Sequence, residues 1–261
     1  MMKKATRLAM ALLLAYGQAE TIILSTANDI IEFASNVNSG VLYIGSTVLL
    51  DKDIDFAGLS DQFMPIGQNW NTYFQGTFDG QGHTISNLNI TTSSFGSYGL
   101  FGYSWGTTVR SVVMDSSCSV DGSKLFGRGD GSSDNILDAK KKMMAAMKKK
   151  NGGEPYYVDV GGIFGECEGF YAQCNIENCI NMGKNVLSYV SPRQPYDDFD
   201  GRVGGIAGSV YAYDYVSTVK NCANYGSVTF SGEVDYSDIG GVLGSTARRD
   251  YPQLRPPPEL P

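Results

Sequence analysis

The stretch "VGGIFGECEGFYAQCNIENCINMG" runs from Val160 to Gly183, and "VGGIAGSVYAYDYVSTVKNCANYG" runs from Val203 to Gly226. They have equal length and the same internal spacing. Gly165 precedes Ile176 by the interval that separates Gly208 from Val219, so Ile176 and Val219 occupy one position. Asn178 and Asn221 share another, and Cys179 and Cys222 a third. A chain that repeats itself in this way stacks its units. Each unit holds a few short strands that cannot bury an apolar side alone, and a neighbouring copy supplies the missing cover.

Working outward, four glycine blocks mark the units: "GLFG" from Gly99 to Gly102, "GIFG" from Gly162 to Gly165, "GIAG" from Gly205 to Gly208 and "GVLG" from Gly241 to Gly244. The segments "TTVRSVVMD", "CNIENCINMG" and "STVKNCANYG" follow three of them. The pattern predicts a coil of parallel strands with Ile163, Ile206 and Val242 aligned inside. Glycines stand at the corners, where a positive φ or a close approach needs them, and Asn178 over Asn221 forms part of an amide ladder. An antiparallel sandwich with glycine-rich hairpins is the competing arrangement. Upstream, Thr26 with Asp29 reads as a helix cap, with Ile30, Ile31, Phe33 and Val37 on the apolar face. Leu50, Ile54, Phe56, Phe74, Phe78, Ile85, Leu88 and Ile90 are the inward candidates of the lead-in strands.

The composition fits this reading and narrows the function. Of 261 residues, 32 are glycine and 16 tyrosine, which favours strands and turns. The formal net charge of -7 argues against a nucleic-acid partner, because phosphate binding needs a basic surface. Residues 1–19 read as an export signal: "MMKK", an apolar run too short to span a bilayer, and a small-residue cleavage site at Ala19. The solenoid domain is expected over 20–246, with a Lys-rich helical insertion over about 130–155 and a Pro-rich tail over 247–261. No later stretch is long enough to be a transmembrane span.

The glycine blocks, each preceding a segment such as "TVRSV" or "TVKNC", resemble the GLUG repeat of adhesin-like secreted or surface proteins, which also stands beside some immunoglobulin A peptidases. "FMPIGQNWNTYFQGTFDGQGHTISNLNI" and "STANDIIEFASNVNSG" are similar to that family's lead-in coils and opening helix. The resemblance covers roughly 25–245. It implies an all-β, right-handed parallel β-helix (a β-solenoid) with a short N-terminal capping helix, at the cell surface or secreted, and it brings no shared catalytic residues. "GIAG" departs from it by placing Ala207 where the other blocks carry a bulky residue.

A search for chemistry yields little. The one histidine, His83, follows the turn Gly80-Gln81-Gly82 and reads as a corner residue, not a general base. Asp51, Asp53 and Asp55 alternate on one strand face, and Asp197, Asp198 and Asp200 sit in a corner insertion. Both sets read as solvated, with no full calcium loop and no zincin motif. No catalytic residue, metal ligand or cofactor is expected. Cys167 and Cys174 flank a short loop and are the candidate disulfide; Cys179 and Cys222, at one repeat position, read as packed thiols with a disulfide as the alternative, and Cys118 is left over. The candidate binding feature is an aromatic edge, Tyr171, Tyr211, Tyr213 and Tyr215, suited to a glycan or a surface protein. The expected function is a non-catalytic exported or surface binding module. The alternative is a carbohydrate-active β-helix enzyme, a polysaccharide lyase or glycoside hydrolase using surface carboxylates.

Overall fold

A computed structural model describes residues 19–91, 96–122, 156–169, 172–190, 199–212, 216–233 and 236–248. The chain forms a right-handed β-solenoid. Five sheets run along it, and every pairing between named strands is parallel; from Thr77 onward each turn of the coil lays one strand on each sheet, and the lead-in turns reach only the first two. Sheet 1 stacks Thr21–Leu24, Thr47–Leu50, Thr77–Asp79, Thr108–Arg110, Asn175–Glu177 and Thr218–Lys220. Sheet 2 holds Ile54–Asp55, Thr84–Ser86, Val113–Met114, Ile180–Asn181 and Ala223–Asn224. Sheet 3 holds Asn89–Thr91, Ser119–Asp121, Lys184–Val190 and Val228–Glu233. Sheet 4 is built from Gly96–Tyr98, Tyr156–Val160, Phe199–Gly204 and Tyr236–Gly240, and sheet 5 from Phe101–Trp105, Phe164–Gly169, Ala207–Ala212 and Leu243–Arg248.

The register is the one the repeats predict. Ile176 pairs with Val219, and Phe101, Phe164, Ala207 and Leu243 form one column. The small side chain of Ala207 leaves the column unbroken. Leu100, Ile163 and Ile206 are fully buried, and Val242 is half-buried. The phenyl rings of Phe74, Phe101 and Phe164 stack up the interior, with centroids 5.7 and 5.1 Å apart. All eight lead-in candidates from Leu50 to Ile90 are buried.

The helix Ala27–Asn38 starts at Thr26, whose side chain accepts from Asp29 N while Asp29 accepts from the Thr26 amide. It buries Ile30, Phe33 and Val37, with Ile31 half-buried. Phe33 packs on Tyr43, Phe74 and Phe78 at 4.9 to 6.4 Å, and so covers the first coils. The export signal (all but Ala19), the Lys-rich insertion and the end of the tail beyond Arg248 lie outside the described residues. No described helix is long and apolar enough to cross a membrane.

Candidate functional site

Between sheets 4 and 5 the chain doubles back through the glycine blocks. The backbones come so close that a Cβ on Gly165 would lie 2.1 Å from Tyr98 N, and one on Gly208 would lie 2.6 Å from Val160 N. Beyond this contact a polar seam fills the gap. Ser97, Asp159, Arg202 and Asp238 share one register position on sheet 4, and Tyr103, Glu166, Ser209 and Ser245 share one on sheet 5. Arg202 donates to both oxygens of Asp159, at 3.2 and 3.4 Å, and to Asp200 at 2.8 Å. Its guanidinium also lies 5.4 Å from the centre of the Tyr211 ring. Ser97 Oγ donates to Glu166 at 3.1 Å.

Burial sets the chemistry of these acids. Asp159 is 0% exposed and Glu166 7%, so removal from water favours their neutral forms. Asp159 is pushed up to about 7, with Arg202 opposing the rise. Glu166 is pushed up to about 8, with the charges of Asp159 and Glu168 adding to the effect of burial. Burial thus favours the protonated form of Glu166, while Arg202 favours the charged form of Asp159.

The seam opens at the ends of the sheet 5 strands. There Trp105 and Glu168 are in register, with Tyr211 on the next strand. The Tyr103 hydroxyl donates to Glu168 and fixes that carboxylate; burial, and then the Glu168 charge, raise the phenol pKa. Tyr73 lies 5.3 Å from Trp105 at a 38° tilt and 6.5 Å from Tyr103 nearly edge-on. Trp70 stands at the tip of the tight turn from Asn69 to Thr72 and is 69% exposed. Tyr73 and Trp105 thus form a shelf, with Glu168 in register with Trp105 and Trp70 three residues before Tyr73 in the chain.

The expected tyrosine edge needs correction at Tyr211. It is 4% exposed, covered by the seam and by Arg202, and cannot be part of an open row. Tyr171, Tyr213 and Tyr215 lie outside the described residues. His83 Nδ1 lies 3.3 Å from Asp53, which also accepts from Thr84 N at 2.8 Å, so the histidine closes a corner against the preceding coil. Asp55 braces the next coil in the same way through Asn87 at 2.8 Å. Cys167 and Cys174 form a disulfide, while Cys118, Cys179 and Cys222 are free. Asn221 donates to Asn178 at 3.1 Å. No group of three or more metal-ligating side chains occurs among the described residues.

The seam was missed in the sequence because its acids look like the solvated alternate residues of strands. One trace was there: "VDVGG" and "GRVGG" set Asp159 and Arg202, of opposite charge, at one repeat position. The shelf had no such trace, since Tyr73 and Trp105 meet only through the stacking of two coils.

No family model matches the chain, and no curated protein matches it closely enough to count as a relative. A solved structure described as "a putative immunoglobulin A1 protease from Bacteroides ovatus" aligns with a TM-score of 0.47 and 20% identity, over 87% of this chain and 62% of that one. The chain thus spans less than two thirds of that protein's length.

Proposed function

We propose that this chain is a non-catalytic binding module of an exported or surface protein of the GLUG-repeat type, and that it contacts carbohydrate through Trp70, Tyr73 and Trp105. The observation that carries the reading is the half-open shelf itself, with the ordered Glu168 carboxylate at its edge. Sugar rings present apolar C–H faces and polar hydroxyls. Aromatic faces match the first, and a fixed carboxylate accepts from the second. Trp105 sits on a stacked sheet and Tyr73 against it, so these two need little ordering on binding. Export and surface location are part of this proposal and rest on the N-terminal pattern and the repeat resemblance.

The enzyme alternative would recruit Glu166 as an acid and Glu168 as its partner. Covered Asp159 and Glu166 weigh against it, because a general acid must reach the leaving group. A glycan array on the full chain tests the proposal. We expect specific binding that Trp105→Ala and Tyr73→Ala weaken at least tenfold, with no release of reducing sugar. Binding unchanged in both variants would remove the shelf from the reading, and sugar release lost in Glu166→Gln would favour the enzyme.

A further inference from the structure

The free cysteines are not equivalent. Cys179 and Cys222 follow the paired residues Glu177 and Lys220 and precede the paired Ile180 and Ala223, so they sit one coil apart and face the same way. Their side chains repeat one conformation. Cys179 Sγ donates to Glu177 O at 3.3 Å and lies 3.9 Å from Val109 O; Cys222 Sγ donates to Lys220 O at 3.3 Å and lies 3.6 Å from Ile176 O. Parallel neighbours are ~4.8 Å apart between backbones, inside the Cα range that a disulfide spans. Access differs between the two. Cys179 is fully buried, whereas Cys222 lies on the last described coil and is half-exposed. The chain already carries one disulfide, Cys167 to Cys174, a bond that persists in oxidising surroundings.

We propose that Cys222 is a thiol–disulfide exchange site that Cys179 resolves into a covalent bolt between two adjacent coils. The co-reactant is a small external disulfide of the glutathione class. The Cys222 thiolate attacks one sulfur of that disulfide, a new S–S bond forms, and the first external thiolate leaves with the bonding electrons and takes up the proton lost by Cys222. The Cys179 sulfur then attacks Cys222 Sγ, gives its proton to the second external thiolate and expels it. Two protein thiols are oxidised and one external disulfide is reduced to two thiols, so atoms and electrons balance.

The electrostatics of the pair agree with this order of events. The hydrogen bond shared with Cys179 lowers Cys222 to about 7, against the effect of burial. The same bond, with burial, raises Cys179. The half-exposed sulfur is the one an external disulfide can meet and the buried one stands beside it, which is the division of labour of an attacking and a resolving cysteine. Cys118 is an internal control: it is buried, pushed up to about 11 by that burial, and has no cysteine beside it.

Oxidised glutathione added to the full chain, followed by thiol counting in denaturant and peptide mass mapping, tests the proposal. We expect the three free thiols to fall to one, with Cys179 linked to Cys222 and Cys118 untouched. Cys179→Ser should trap glutathione on Cys222, and Cys222→Ser should leave Cys179 unreacted. Native alkylation of the untreated chain should label Cys222 at least tenfold faster than Cys118. Three surviving thiols, a trapped adduct on Cys118, or Cys179 reacting as fast without Cys222 would each overturn it.

Discussion

At the scale of the residue, the glycine blocks do a job other than the one their spacing first suggests. The eight block glycines keep their backbones out of the left-handed region, and that region is used instead by Ser111, Asn178 and Asn221, at φ 55°, 54° and 53°. Asparagine adopts it with little strain and adds an amide that bonds the next coil. The block glycines are required because another backbone passes where a side chain would stand. A Cβ on Gly205 would lie 2.2 Å from Gly241 O, whereas one on Gly241 would meet nothing within 4 Å. Gly165→Ala should therefore lower stability by at least about 1–3 kcal/mol, the usual range for overpacking. Gly241→Ala should stay within about 0.5 kcal/mol. Urea midpoints of the two variants check the contrast. The repeat position was legible in the sequence, but its reason was not, because close approach is a property of two coils and each block records one. An inner amide ladder was missed for the same cause: Asn181 bonds Asn224 at 2.9 Å, and both fill the space their neighbouring glycines leave open.

At the scale of the element, charge is arranged in columns. On sheet 1 Asp79, Arg110, Glu177 and Lys220 lie in register with alternating sign, and Arg110 meets Asp79 at 2.8 Å while Lys220 meets Glu177 at 2.9 Å. These pairs are partly exposed, and each adds a few tenths of a kcal/mol at most. Their chief effect is on register, since a slip of one residue would remove them. The seam is different because it is buried. An acid whose folded pKa is raised keeps a proton that the unfolded chain has already lost. Its contribution is thus most favourable below the unfolded value of about 4.3 and drains as pH climbs to the folded value, about 8 for Glu166. Glu166→Gln should flatten the fall in stability between pH 5 and 8 while leaving the acid limb in place, as urea midpoints across that range would show. Asp159 faces the same penalty but has Arg202 against it, so it should drain less. Strand content and order could be read from the repeats. The pairing of sheets 4 and 5 into a seam could not, since alternation in sequence gives two faces to a strand without saying that both are covered.

At the scale of the whole molecule, the two ends of the stack are unlike. The helix closes the first, with Ile30 and Val37 fully buried. On the last coil Val219, Val228, Phe230 and Leu243 are only partly covered, Tyr225 is 76% exposed and Ile239 55%. Each strand of that coil has a strand neighbour on one side only among the described residues. Stability in a stacked repeat is a sum of units and their interfaces, so protection should grade along the axis. Amide hydrogen exchange should be slowest for Phe101–Trp105 and Phe164–Gly169 and fastest for Thr218–Lys220 and Leu243–Arg248. Equal protection along the axis would mean that the last coil has a cover of its own. The direction of the backbone bonds carries one more consequence. In all five sheets they link each coil to the next, and so run along the length of the solenoid. A tug on its two ends would load them in tension, five ribbons at once across the complete coils, and the strut would give way one loop at a time, releasing a slack thread of unequal length with each rupture (26 residues separate Thr21 from Thr47, 67 separate Thr108 from Asn175 and 43 separate Asn175 from Thr218).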